Sequence, residues 1–265
     1  MEGKNPHDLI TEDNVKSALK LQCGTHAKLT SWEIKDFTSP GDNYVAFVTS
    51  VLVDYSMDSK KEKTSFIVKL SSTGGLATIY DLTENVFKKE SSFYTKIVPE
   101  LNRELTIASQ PNLKVPKCFY YNLEKNKEII FLEDLRNRQF KLANRKKGLN
   151  FAHVNLVMEE LGRLHASSEL LKGTFTKVDL INKFSSLEDN LYEKGNLRKG
   201  IMKGILENIG ADTASLIEEV DCYKEIAERL KLIDFFEIME KMIITEPPFE
   251  VIAHGDCWTN NILFR

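Results

Sequence analysis

Asp256 and Asn261 stand five positions apart in His254-Gly255-Asp256-Cys257-Trp258-Thr259-Asn260-Asn261, an H-x-D-x-x-x-x-N spacing. A carboxylate at the third position of such a loop can orient an attacking hydroxyl and accept its proton, a step worth roughly 10²–10⁴ in rate. A carboxamide five residues on offers a neutral oxygen to Mg²⁺ bridging nucleotide phosphates. Together they have the spacing of a catalytic loop for phosphoryl transfer. A bare Gly-Asp pair is common in surface turns. What favours chemistry is His254 before it, Asn261 after it and apolar segments on both sides. His254 reads as a group that holds the loop through backbone hydrogen bonds. Asn260 is the neighbouring carboxamide, but the spacing selects Asn261 as the metal ligand.

A base and one metal ligand still need something to hold the phosphates. Lys69 lies in Phe66-Ile67-Val68-Lys69-Leu70. In a strand, Phe66, Val68 and Leu70 share one face and Lys69 takes the other. A lone strand lysine is ordinarily a solvated charge. Glu90, on the helical pattern that follows, supplies a partner, and a strand lysine held by a helix glutamate can reach the α- and β-phosphates. Two backbone regions complete the expected cofactor-binding set. Gly41, Asp42 and Asn43 sit in the turn Ser39–Asn43, whose N–H groups can approach phosphate oxygens. This is not a glycine-rich fingerprint, because Gly41 is its single glycine. Glu133 and Leu135 follow the strand ending at Leu132, where backbone groups can read an adenine edge.

The elements around these residues can be read from periodicity. Thr11 caps a helix with Val15, Ala18, Leu19 and Leu21 apolar, ending at Gly24. Strands are expected at Trp32–Phe37, Tyr44–Val53, Ser65–Leu70, Lys117–Leu123 and Glu128–Leu132, with a charged turn at Asp58–Lys63. The helix carrying Val86, Phe87, Glu90, Phe93, Tyr94 and Ile97 is expected to end near Pro99. Residues 136–150 carry six Lys/Arg and no acid, and read as a connecting segment with a solvated basic face. Beyond it, Phe151, Val154, Met158, Leu161, Leu164 and His165 recur at helical spacing, with His165 a packed rather than a ligating histidine. Leu216–Ile244 shows the same helical period. Pro247 and Pro248 end it, and Glu250–Ala253 reads as a short strand feeding the His-Gly-Asp loop. The fold class is therefore α+β in two lobes. Residues 1–135 form a nucleotide-binding lobe with a five-stranded antiparallel sheet plus helix, and residues 136–265 form a mostly helical lobe.

Bulk properties narrow the setting. With 42% hydrophobic and 28% charged residues, the 265-residue chain has the composition of a globular protein. A net charge of −3 gives no global attraction for nucleic acid or an anionic membrane. No apolar run approaches the ~18 residues expected of a membrane span, and the polar N-terminus has no signal-peptide core. Cys23, Cys118, Cys222 and Cys257 are scattered without a C-x-x-C pair, which suits a reducing cytosol and a cytoplasmic location. Oligomeric state has no signature in the sequence.

Taken in order, these residues resemble the ecdysteroid kinase-like family, also called CHK kinase-like. It groups with the choline and aminoglycoside kinases on the protein-kinase-like fold. The resemblance runs through Pro40-Gly41-Asp42-Asn43-Tyr44, Ile67-Val68-Lys69-Leu70, Glu90-Ser91-Ser92-Phe93-Tyr94 and Leu132-Glu133-Asp134-Leu135. It continues through Phe140-Lys141-Leu142-Ala143, Gly148-Leu149 and Leu161-Gly162-Arg163-Leu164-His165-Ala166-Ser167. Its most specific segment is His254–Phe264, with Trp258 after His-Gly-Asp-x and the paired Asn260-Asn261. The resemblance implies ATP- and Mg²⁺-dependent phosphorylation of a hydroxyl on a small molecule, ecdysteroids being the eponymous acceptors. It assigns Asp256 as the base, Asn261 as a metal ligand and Lys69 with Glu90 as the phosphate-positioning pair.

Family members continue into a strand with an Asp-Phe-Gln-like motif whose Asp is the second metal ligand. That motif lies outside these 265 residues. The expectation for residues 1–265 is therefore weak Mg-ATP binding with little or no transfer. The rival reading is a non-catalytic nucleotide-binding or interaction protein.

Overall fold

The computed structural model describes residues 5–36, 46–71, 86–187, 197–243 and 250–265. Gly41, Asp42 and Asn43, expected over the phosphates, lie outside the described residues, as do Pro247 and Pro248. The chain divides into two compact units, one formed by the residues up to Leu187 together with Val251–Arg265, the other by residues 188–250.

The first unit is built on a five-stranded antiparallel sheet of order β1-β2-β3-β5-β4. Its strands are β1 (Lys28–Asp36), β2 (Ala46–Met57), β3 (Lys60–Ser71), β4 (Cys118–Asn122) and β5 (Ile129–Glu133). The charged turn expected over Asp58–Lys63 is tighter than its composition suggests. The β2–β3 ladder runs to Met57↔Lys60 and leaves only Asp58 and Ser59 as the loop, at φ 50° and 66°. Two consecutive positive-φ residues match the right-handed twist of the flanking strands, so the hairpin closes in two residues and Lys60–Lys63 join β3.

Helices cover both faces of the sheet, which explains why β5 is apolar without alternation. Helix α1 (Glu12–Cys23) is capped by Thr11, whose side chain exchanges bonds with Asn14, and it ends at Gly24 with φ 90°. Its Val15, Ala18 and Leu19 pack with Phe66, Val68 and Leu70 of β3 and with Ile129 and Phe131 of β5. On the opposite face, Phe87 packs with Ile130 and Leu132, joined by Ile67, Tyr94 and Cys118. Phe87 belongs to helix α2 (86–107), a continuous helical stretch interrupted by a π turn at Phe93–Ile97.

Pro99 does not end this helix. It stands within the first turn of the α-helical stretch Val98–Ile107. There a proline is tolerated because the π turn has already loosened the preceding N–H to C=O register. Past the π turn, Ile97, Leu101 and Leu105 pack with Leu164 and Leu171 of helix α3 (Phe151–Thr174), with Phe184, and with Ile252 at the edge. The apolar stripe expected along α3 is buried only in its C-terminal half. Leu164 and Leu171 are enclosed, while Phe151, Val154 and Met158 are exposed, because the α2 and Ile252 contacts reach only the later turns.

Two further expectations are corrected. Glu250–Ala253 forms no strand. The strand of this region is instead β7 (Leu263–Phe264), paired antiparallel with β6 (Lys141–Leu142) inside the segment read as a plain connector. The long helix expected over Leu216–Ile244 is three helices of the second unit: Leu197–Glu218, Lys224–Lys231 and Phe235–Ile243. Within that unit Gly210 lets the ring of Phe235 approach, since a Cβ there would lie 2.5 Å from a ring carbon. The five-stranded N-terminal sheet followed by a helical C-terminal part is the α+β architecture of protein-kinase-like folds. Among the described residues no helix is long and apolar enough to cross a membrane.

Candidate active site

Lys69 sits at the centre of the sheet, opposite Val48 of β2 and Ile130 of β5. Strand alternation sends its side chain away from α1 and toward α2. There its Nζ lies 2.6 Å from Oε1 of Glu90, with both side chains largely shielded from water. The pair crosses from sheet to helix over 21 positions of sequence. Four residues beyond Glu90, the half-buried Tyr94 flanks it. Burial pushes the Tyr94 phenol well above its ordinary range, and the charge on Glu90 adds to the shift. The Cys118 thiol beside them is pushed up to about 11, again chiefly by burial. Tyr94 and Cys118 thus stay neutral at physiological pH.

The His-Gly-Asp loop is anchored from both ends. On the approach, the Ile252 N–H donates to Ser168 Oγ at 3.1 Å, and that hydroxyl donates to the His165 carbonyl at 2.8 Å. His165 accordingly acts through its backbone. On the exit, β7 is tied to β6, and Phe264 meets the ring of His153 edge-on at 4.4 Å. Between these anchors the Asp256 N–H donates to His254 Nδ1 at 3.2 Å, so the ring holds the loop through a backbone bond. Gly255 adopts φ 77°, the left-handed region.

The Asn261 amide nitrogen donates to both the backbone carbonyl of Asp256, at 2.9 Å, and its carboxylate Oδ2, at 2.7 Å. These two hydrogen bonds close the loop and fix the carboxylate. Asp256 and Asn261 are both exposed.

A prediction follows from Gly255. A Cβ added there meets nothing within 4 Å, so Gly255→Ala costs only backbone conformation. At about 1–2 kcal/mol for a left-handed L-residue, the melting temperature is expected to fall by about 2–8 °C. An unchanged melting temperature would show that the loop gives up this conformation without cost.

At the end of β5, the backbone is less open than the spacing suggests. The Glu133 N–H donates to the Lys117 carbonyl at 2.8 Å, and the Leu135 carbonyl accepts from the Phe140 N–H at 3.2 Å. The Glu133 N–H is thereby used, and one lone pair of the Leu135 carbonyl is taken. Between them lies a residue that sequence reasoning passed over. Asp134 is only 2% exposed. Its carboxylate accepts from Ser65 Oγ at 2.5 Å, from the Arg136 backbone N–H at 3.0 Å, and from Arg136 Nε and guanidinium NH2 at 2.9 and 2.7 Å. Arg136 then reaches Ser50 Oγ on β2 at 2.7 Å. The signal was present in part, because Ser65 shares the Lys69 face of β3 and an acid two residues before an arginine can fold back on it. Burial raises the Asp134 pKa, but the bonds from Arg136 and Ser65 outweigh it and hold the carboxyl below the usual carboxylate range.

The structure brings Lys69 to Glu90 and Asp256 to Asn261, and it sets Glu133 and Leu135 on either side of Asp134. Among the described residues no group of three or more His, Cys, Asp and Glu converges as a self-sufficient metal site. The donor set fits Mg²⁺ in a different manner. This ion takes one or two protein oxygens and completes its octahedron with phosphate and water, and Asn261 Oδ1 is a suitable neutral oxygen.

The model of the ecdysteroid kinase-like family matches residues 40–265. No curated protein and no solved structure matches the chain.

Proposed function

The chain belongs to the ecdysteroid kinase-like family, and we propose that it transfers the γ-phosphoryl group of ATP to a hydroxyl of a small molecule, with an ecdysteroid-like or other small alcohol as acceptor. The observation that carries this reading is the shielded Lys69–Glu90 pair at 2.6 Å. A strand lysine drawn to a helix carboxylate is held as a fixed positive charge, which is what the α- and β-phosphates require. The site's other half supplies Asp256, held by Asn261 and exposed, to orient the acceptor hydroxyl and take its proton. Asn261 Oδ1 would hold Mg²⁺, whose chemistry when bound is to neutralise charge on the β- and γ-phosphates. Gly41, Asp42 and Asn43 would cover the phosphates, and the segment from Glu133 to Leu135 would border the adenine. The low net charge favours neutral or weakly charged acceptors over nucleic acid, and the reducing setting that the free cysteines suit is the cytoplasm.

The test is a screen of hydroxylated small molecules, steroids and amino alcohols included, for acceptance of labelled γ-phosphate from ATP by the full-length protein. Transfer to at least one acceptor is expected; nucleotide binding without transfer to any would favour the rival, non-catalytic reading. Lys69→Ala is expected to weaken Mg-ATP binding by roughly tenfold or more, because the charge it removes is preorganised rather than solvated. Calorimetric titration with a non-hydrolysable ATP analogue reads this directly. An unaltered dissociation constant would remove Lys69 from the nucleotide site.

A further inference from the structure

The side of α2 turned away from Lys69 carries a second feature. Lys88, Ser92 and Lys96 recur every fourth residue, about 200° around the helix from Glu90 by the spacing of Lys88. With Tyr121 of β4 and the segment Lys183–Ser186, they line a cavity of about 110 Å³. At ~30 Å³ per water this has room for a tetrahedral oxyanion. Its lining contains three lysines and four serines and no carboxylate. Lys183 is held at its rim, 2.6 Å from Glu100 and over the ring of Phe175 at 4.2 Å. Lys88 and Lys96 have no acidic partner among the described residues. The floor is built, because the buried hydroxyls of Ser92 and Ser186 hydrogen-bond at 2.7 Å and join α2 to the Ser185–Leu187 turn.

Two exposed ammonium groups without an acidic partner, beside a concave, hydroxyl-lined space, supply the charge and the donors that an anion needs. We propose that this cavity is an oxyanion site for a phosphate group, and that its occupancy braces the helix that presents Glu90 to Lys69. The second half rests on the kinase reading above; the first does not. Lys88, Ser91, Ser92 and Lys96 all lie within six residues of Glu90 on one helical stretch. An anion that ties this stretch to Lys183 and Ser186 therefore restrains the carboxylate on its other side. By linkage, phosphate in the cavity and nucleotide at Lys69 raise each other's affinity.

Inorganic phosphate and O-phosphoserine are titrated in parallel into the full chain at constant ionic strength, with chloride as the balancing anion and amide NMR shifts as the readout. Saturable shifts centred on Ser91, Ser92, Lys96 and Ser186 are expected, and whichever probe binds tighter identifies a free anion or a phosphate ester as the source. The double variant K88Q/K96Q, two exposed positions whose change leaves the core intact, should weaken this binding by about fivefold or more. Lys69→Ala should leave saturable shifts centred on the same residues, with affinity lowered only by the coupling, which separates the cavity from any phosphate bound at the nucleotide site. Shifts that centre on Lys69 and vanish in Lys69→Ala, or that persist in K88Q/K96Q, overturn the site. Phosphate that binds the cavity without tightening an ATP analogue overturns the coupling. If the cavity binds phosphate normally while no nucleotide binds at all, the kinase reading fails and the oxyanion site stands.

Discussion

Asp256→Asn is expected to lower phosphoryl transfer by the full-length protein roughly 10²–10⁴-fold while nucleotide affinity stays within about twofold. The substitution removes a proton acceptor and little else. Asn261 donates to the Asp256 carboxylate at 2.7 Å and to its carbonyl at 2.9 Å. An asparagine at position 256 keeps a side-chain oxygen for the first bond and the same backbone for the second. His254 continues to accept from the backbone N–H of residue 256. Loop shape is therefore retained, and the loss falls on kcat rather than on binding. Parallel measurement of transfer rate and of affinity for an ATP analogue separates the two. Full activity in this variant would sink the role given to Asp256, whereas equal loss of binding and turnover would mean that the loop had collapsed.

The second large effect concerns stability. Asp134→Ala is expected to destabilise the first unit by about 2–4 kcal/mol, since it strips a buried acceptor from donors that were built around it. Ser65, Ser50, Asn137 and Arg136 all belong to that network, and Ser65 Oγ also receives a bond from Asn137 Nδ2 at 3.1 Å. Thermal unfolding should show a drop of about 2–4 °C for each kcal/mol in a unit of this size. The pH dependence has a definite sign. The folded pKa of Asp134 is depressed, so its contribution is complete above the unfolded value near 3.9 and is lost as pH falls through the folded value. The gap between wild type and Asp134→Ala should therefore be constant at neutral pH and narrow below about pH 4. A gap that stays constant into acid would show that the carboxylate charge contributes nothing. Arg136→Lys should recover only part of the wild-type stability, because a lysine cannot hold Asp134 and Ser50 with one rigid fork.

The His-Gly-Asp loop was legible because its bonds are local. His254, Asp256 and Asn261 lie within eight residues, and the hydrogen bonds among them need no distant element. The face of β3 was legible for a similar reason, since alternation alone sets Phe66, Val68 and Leu70 against Lys69. The Thr11 cap and the Gly24 stop are likewise decisions of a few adjacent residues. Where the reading went astray, the deciding contact was remote or the local signal had two outcomes. Pro99 is compatible with a helix end or a helix start, and the π turn before it selects the second. Leu216–Ile244 keeps a helical period across its breaks, because the period records which side is apolar and not where the backbone turns.

Residue type and spacing by themselves determined the loop-holding place of His254, the α+β order of elements and the face on which Lys69 must lie, because each is governed by bonds or periodicities a few residues long. Only the tertiary structure decided that Lys69 and Glu90 meet at 2.6 Å, that Asp134 is the hub at the end of β5, and that Lys88, Lys96 and Lys183 border one cavity. Those depend on strand register and on the packing of α2 between sheet and helices, which bring together residues that the chain itself keeps apart.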